Sequence, residues 1–161
     1  MTSVRAARFA AAYALLRAAA DVADHWIQTD HQARIKGATD RPPVVDTDET
    51  GWVTAVHRAA DGRLACAAHV ASYTATQAAA LLAGSRLLGV RLRPGPVAAA
   101  LALSAVTHYV ADRREPLRRL ADATGKSNFV RLTDHGMNGA YALDQAWHHA
   151  FETVAAIVAS A

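Results

Sequence analysis

The sequence is poor in the residues that stabilise small disulfide-rich or β-rich folds. Cys66 is its one cysteine, which excludes an internal disulfide and a cysteine-cluster zinc site and favours a reducing, cytoplasmic compartment. Aromatic residues make up only 6% of the chain, whereas hydrophobic residues, many of them alanine, reach 52%. Because small side chains bury well between closely packed helices and poorly in a β-sandwich, this composition predicts a helical protein.

Strong net charge and long apolar runs are also absent. The 17 basic and 14 acidic residues give a net charge of +3, which predicts no dense basic surface and disfavours nucleic-acid binding. The most apolar stretch, 97–111, contains His108 and falls short of the roughly 18–20 apolar residues that a spanning helix needs. Arg17 interrupts the apolar start of the chain, so we expect no signal peptide. Contact with a membrane surface and self-association both stay open.

Apolar residues recur at helical spacing along most of the chain. Phe9, Tyr13 and Leu16 follow steps of three and four residues, which predicts a helix over 3–36 that ends at Gly37. Further helices are predicted over 63–84, 96–114, 117–123 and from 138 or 139 to the C-terminus.

The segments between these helices carry turn signals. The polar stretch 37–51 contains Pro42-Pro43 and is predicted to be a surface loop. Residues 52–60 fit a short helix or a strand, closed by the turn signal Asp61-Gly62. The sequence therefore predicts an all-α fold, a single helical domain over 1–161 with about five helices and one long loop.

Three of the predicted helices carry two polar side chains one turn apart. The pairs are Asp24 and Gln28, His108 and Asp112, and Asp144 and His148. Side chains at i and i+4 share one helix face about 5–6 Å apart, close enough to hold one ion or one water between them. His69, with Tyr73 one turn later, supplies a fourth side to the group.

These polar residues have apolar neighbours, which predicts that they point into the bundle. A buried carboxylate is costly unless it meets a cation or several donors, and carboxylates and imidazoles that converge in a bundle are typical of a metal centre. We therefore predict a bound divalent metal (Zn, Mn, Fe or Ni) with six candidate ligands, Asp24, His69, His108, Asp112, Asp144 and His148. The alternative is a buried hydrogen-bond network that fixes packing in a non-enzymatic interaction or regulatory module.

Two choices within this set stay open. Asp21 and His25 form a rival pair to Asp24 and Gln28, and the rotation of the first helix decides which pair faces inward; the apolar positions favour Asp24. Only one of His148 and His149 can face inward, because successive helical residues point about 100° apart.

The predicted chemistry is hydrolysis. A divalent metal acidifies a bound water, which can attack a phosphoester or an amide. We expect Gln28 or His25 to orient the water or the substrate. Arg113 and Arg114 either neutralise a small anionic substrate or form a solvated helix end.

Four short motifs, in order, resemble the bacterial and phage family of unknown function DUF3307. They are 24–30 (DHWIQTD) with Lys36, 69–74 (HVASYT), 107–112 (THYVAD) and 143–148 (LDQAWH). The resemblance spans about 20–149 and implies a chemistry similar to that of membrane-associated metal-dependent hydrolases. Family members usually carry a histidine where Ala20 stands here, so the resemblance implies that His25 or Asp21 replaces it or that one ligand is missing.

Overall fold

Four long helices enclose the core. The computed structural model describes residues 3–161, and these form α1 (Ser3–Val22), α2 (Asp30–Ile35), β1 (Val44–Thr47), β2 (Val53–His57), α3 (Ala59–Leu87), α4 (Pro94–Asp112), α5 (Glu115–Ala123) and α6 (Gly139–Ala159). Helix α1 packs against α3 and α6, and α4 packs against the same two helices. The predicted helical fold class is confirmed. Within residues 3–161, no helix combines the length and apolarity needed to cross a membrane.

Alanine dominates the apolar core. Among the described residues, 13 of the 18 buried hydrophobic side chains are alanine. Ala12, Ala100 and Ala156 are fully buried and pack together with Leu16 and Leu81. Because these side chains are small, the helices approach one another closely. Much of the buried bulk is instead polar, and it includes His69, Gln77, His108, Asp112 and Glu152.

The first helix is not continuous to Gly37 as the sequence predicted. It ends at Val22 and passes into a π-helical turn, Ala23–Ile27, in which the Gln28 amide donates to the Ala23 carbonyl oxygen. Helix α2 then begins after Thr29, whose side chain accepts from the Gln32 amide while the Gln32 side chain accepts from the Thr29 amide. This capping box stabilises a new helix start, so the chain changes direction.

The predicted loop 37–51 is wrong in one part. Its residues Val44–Thr47 pair antiparallel with Val53–His57, which resolves the 52–60 segment as a strand. One side of the hairpin is half-buried, and on it Val44 packs against Ile35 of α2. A two-stranded ribbon this short depends on such packing for its stability, which the local sequence does not reveal.

The predicted turn at Asp61-Gly62 is also wrong, because α3 runs through it. The Asp61 carboxylate accepts the Arg58 amide at 2.8 Å and so caps the helix N-terminus. Gly62 is buried, and a Cβ there would stand 2.8 Å from the Ala38 carbonyl oxygen and 2.7 Å from Arg113 Nη1. The glycine therefore serves close packing against the chain after α2.

Gly139→Ala should destabilise the start of α6. An added Cβ would lie 1.8 Å from the Phe129 carbonyl oxygen, so the backbone must shift. We expect a loss of about 2–3 kcal/mol and a fall in Tm of roughly 5–10 °C by calorimetry. Gly95→Ala is the matched control, because a Cβ at Gly95 meets no atom of the described chain within 4 Å. Equal melting of the two variants would contradict this packing.

Candidate metal centre

Four side chains from three segments converge at the cleft-facing end of the bundle. His69 Nε2 on α3 lies 3.0 Å from Asp24 Oδ1 in the π-helical turn and 3.0 Å from His108 Nε2 on α4. Asp112 Oδ2, one turn after His108, lies 3.2 Å from His108 Nε2 and 3.4 Å from His69 Nε2. Both histidines and Asp112 are at most 2% exposed. The structure thus brings together four of the six predicted ligands.

The π-helical turn settles which pair on the first helical segment faces inward. Asp24 points to the histidines, and its side chain is 12% exposed. Asp21 points outward and forms an ion pair with Arg17. His25 Nδ1 bonds to the Asp21 carbonyl oxygen and its Nε2 to the Tyr141 hydroxyl, both at 2.9 Å. Neither Asp21 nor His25 therefore occupies the place of a further ligand beside Ala20.

Lys36 is the cation built into this cluster. Its Nζ lies 2.7 Å from Asp112 Oδ1. The other carboxylate oxygen, Asp112 Oδ2, is buried and faces the two imidazole nitrogens without a well-aligned hydrogen bond from any group in residues 3–161. A buried carboxylate oxygen left in this state is costly, so it is a place where a cation would be stabilised.

The remaining two predicted ligands form a second group beside the first. His148 is 4% exposed, and its ring stacks on the ring of His108 with centroids 4.3 Å apart. Its Nε2 lies 3.4 Å from Asp144 Oδ2. His108, Asp112 and His148 each offer a ligand atom within 4.8 Å of the others, as do Asp24, His69 and His108. His149 is exposed, so His148 is the inward-facing member of that pair.

The environment keeps the carboxylates ionised. Burial alone would raise the pKa of Asp24, but the hydrogen bond with His69 and the charge of His108 outweigh burial and hold the pKa below its usual value. Burial is likewise outweighed at Asp112, whose pKa is lowered by His108 and Lys36. Two ionised carboxylates therefore share an interior that holds one lysine.

The surroundings shift the pKa values of His108 and His148 in opposite directions. At His108, burial lowers the pKa more than Asp112 raises it, so the neutral ring is favoured. At His148, burial opposes protonation, but the hydrogen bond and charge of Asp144 raise the pKa above its usual value. A neutral His108 offers the lone pair that a metal ligand needs.

The spacing of the first group suits a single metal ion. Two ligand atoms on one tetrahedral ion with bonds of about 2.0–2.1 Å stand roughly 3.3 Å apart. The distances from His69 Nε2 and His108 Nε2 to their carboxylate partners are 3.0–3.4 Å. Cys66 is not a competing ligand, because burial raises the pKa of its thiol to about 12 and its Sγ faces the Tyr109 carbonyl oxygen.

A cleft of about 730 Å³ leads to this cluster. Asp24, Asp112 and Asp144 line it, as do the two predicted water-orienting residues, His25 and Gln28. His25 has both nitrogens engaged, whereas Gln28 Nε2 finds no hydrogen-bond partner within the described chain. Gln28 Nε2 is itself buried, so of the two residues Gln28 is the one with a side-chain donor left to bind a water.

Positive charge is concentrated on one wall of the cleft, which the even overall composition did not predict. Residues 113–131 hold six basic and two acidic side chains, a net charge of +4, against +3 for the whole chain. Arg113, Arg114, Arg118 and Arg131 from this segment line the cleft. Asp24, Asp112, Glu115 and Asp144 also line the cleft, so an anion is attracted close to this wall rather than throughout the cleft.

Arg113 and Arg114 do more than provide charge. Arg113 donates to the carbonyl oxygens of Lys36 at 2.5 Å and Ala38 at 2.7 Å, and Arg114 donates to that of Ala33 at 2.7 Å. Arg114 adopts a φ of 60°, a strained conformation for a residue other than glycine. These arginines join the end of α4 to the end of α2, and so they hold Lys36 beside Asp112.

A buried polar network lies behind the candidate ligands, and it was not predicted from the sequence. The Tyr73 ring lies against the His108 ring at a tilt of 33°, with centroids 3.8 Å apart, and its hydroxyl donates to Glu152 Oε1 at 3.1 Å. Arg17 pairs with Glu152 Oε2 at 2.5 Å, and Gln77 Nε2 donates to the Tyr73 hydroxyl oxygen. The available signal was spacing, because Glu152 follows His148 by one helical turn on a face that is otherwise apolar.

Tyr73→Phe should destabilise the fold without changing metal binding, and so it distinguishes the role of this network from that of the metal centre. The ring that supports His108 remains, but Glu152 loses a donor and Gln77 an acceptor, which we expect to cost about 1–2 kcal/mol. Thermal unfolding should show a fall in Tm of roughly 3–6 °C, with bound metal unchanged by elemental analysis. Tyr13→Phe, at a tyrosine that stacks on Phe9, is the control. Loss of metal in Tyr73→Phe would assign the hydroxyl a direct part in binding.

Comparisons with known proteins find no match: no family model fits the chain, and no similar curated protein or solved structure is found.

Proposed function

We propose that this protein binds a divalent metal ion through Asp24, His69, His108 and Asp112 and uses it to hydrolyse a small anionic substrate, with phosphoesters as the leading class. One observation carries the proposal. Two imidazole nitrogens and two carboxylate oxygens from three segments come within ligand-to-ligand distance beside an open cleft.

The charge balance of the cluster supports a bound cation. Asp24 and Asp112 are both ionised, and Lys36 neutralises one negative charge from one side only. His69 Nε2 and His108 Nε2 are 3.0 Å apart, so at most one proton fits between them. A metal ion would use the lone pairs of both nitrogens and the free oxygen of Asp112 together.

The donor set indicates which ions fit. Imidazole and carboxylate ligands without a thiolate suit Zn, Mn, Fe or Ni. When bound, such an ion lowers the pKa of a coordinated water towards neutrality and thereby supplies a nucleophile. Gln28 orients the attacking water or the substrate through its free amide, and Lys36 fixes the Asp112 carboxylate.

The cleft supports an anionic substrate. Its basic wall, 113–131, faces three carboxylates that the proposed ion would largely neutralise. The volume of about 730 Å³ is in the range of small-molecule sites. The resemblance of the four motifs to DUF3307 agrees with this proposal. Membership of that family and a cytoplasmic location both stay predictions.

The test combines metal analysis with hydrolysis assays. Purified protein should contain at least one equivalent of a transition metal and should cleave para-nitrophenyl phosphate or its diester. Chelation with EDTA and the Asp24→Asn substitution should each lower the rate by about 100-fold or more. Asp21→Asn, which changes an exposed carboxylate one turn earlier, should have no effect.

The opposite result favours the non-enzymatic alternative. Protein that binds none of these ions and melts identically with and without EDTA would leave the His/Asp cluster as a buried polar network. The continuous hydrogen bonding of Arg17, Glu152, Tyr73, Gln77 and Ser104 shows that the bundle supports such a network next to the cluster.

A further inference from the structure

Three of the six candidate ligands, Asp24, Asp112 and Asp144, line the cleft, and five of the six divide into two groups. Asp24, His69 and His108 form the tighter one, with distances of 3.0–3.4 Å between their ligand atoms. His148 and Asp144 lie on the α6 side and have their own ligand-to-ligand distance of 3.4 Å. Each group therefore has the spacing of ligands on one ion, about 3.3 Å.

The orientation of the histidine rings separates the two groups. The rings of His108 and His148 stack at an interplanar angle of 28°, with centroids 4.3 Å apart. Stacked rings can each direct a nitrogen to a separate ion.

Asp112 is the carboxylate positioned between the groups. It contributes an oxygen near His69 and His108 and also belongs with His108 and His148 in one set of ligand atoms. Its Oδ2 has no well-aligned hydrogen bond within residues 3–161, although the residue is only 2% exposed. A carboxylate oxygen has lone pairs for two partners, so Asp112 can be shared.

We propose that Asp144 and His148, together with a shared Asp112, form a second divalent-cation site beside the ion held by Asp24, His69 and His108. This inference rests on the proposed function, since the second ion adjoins the first. Paired ions of this kind clamp the attacking and leaving oxygens of a phosphoester, and so the second site favours phosphoesters over other anions. Asp144 lines the cleft and its side chain is 28% exposed, which gives the second ion access to substrate.

Metal stoichiometry tests the proposal directly. Protein stripped with EDTA is titrated with MnCl₂ by calorimetry, and bound manganese is counted by elemental analysis after desalting. The wild type should bind two equivalents, and its Mn²⁺ spectrum by electron paramagnetic resonance should show two coupled ions. Asp144→Asn should bind one equivalent, with the affinity of the remaining site changed by less than about threefold and the coupling lost.

A neighbouring histidine provides the matched control. His149→Ala alters an exposed imidazole next to His148 and should retain two equivalents. Circular dichroism verifies the folding of each variant, and Asp144→Asn is a mild change at a partly exposed position. One equivalent in the wild type, or two in Asp144→Asn, overturns the second site and leaves the proposed function standing. Zero equivalents in the wild type overturns both.

Discussion

His108→Ala should purify without metal and should melt well below the wild type. His108 lies within 4.8 Å of Asp24 and His69 and also of Asp112 and His148, counted between ligand atoms, and it is 1% exposed. The substitution therefore removes a ligand and opens a cavity in the bundle. We expect affinity for Mn²⁺ or Zn²⁺ to fall by about 100-fold or more. The cavity should cost about 2–4 kcal/mol, which lowers Tm by roughly 5–15 °C in metal-free buffer.

The control for this variant is His149→Ala, at an exposed histidine of the same protein. It should keep its metal and melt within about 2 °C of the wild type. If His108→Ala retains a full complement of metal at unchanged affinity, the imidazole is not a ligand and the candidate centre is wrongly placed.

Lys36→Met should destabilise the metal-free protein more than the metal-loaded protein. The substitution removes the Lys36 ammonium that lies 2.7 Å from the buried Asp112 carboxylate. An unpaired buried charge lowers the free energy of unfolding by about 3 kcal/mol when nothing else neutralises it. A bound divalent ion supplies the missing charge, and it also stabilises the folded state by mass action. We therefore expect a loss in Tm of roughly 6–12 °C without metal and less than half of that with saturating metal.

The sequence contains a matched control for this experiment. Lys126, the only other lysine of the chain, is exposed and lies outside the cluster. Lys126→Met should change Tm little in either condition. An equal loss for Lys36→Met with and without metal would mean that the lysine stabilises the fold by packing alone.

The candidate ligands were predictable because a buried helical position has apolar neighbours in the sequence. His69 and His108 stand in stretches of alanine and other apolar residues. Such surroundings predict that a helical side chain points into the bundle, even when the packing partners are unknown. The i,i+4 spacing of His108 and Asp112 then fixes both on one face. Local pattern thus predicted residues that meet across the bundle.

Other features depend on contacts between residues that are distant in the sequence, and the local sequence pattern predicts these features less well. The wide turn at Ala23–Ile27 aims Asp24 at His69, and this pairing spans 45 residues. The strand Val44–Thr47 is four residues long and depends on its partner for stability. Two signals were present and unused: the capping box that begins at Thr29, and Glu152 one turn beyond His148.

The π-helical turn has a consequence for how related chains must be compared. The hydrogen bond of such a turn spans five residues instead of four, which inserts one residue into the helix, so the helical phase before and after it differs by about 100°. A relative that lacks the extra residue would present its inward-facing acid only after a one-residue gap is placed at this point. An ungapped alignment would pair Asp24 with a solvent-facing position and would hide a shared metal ligand.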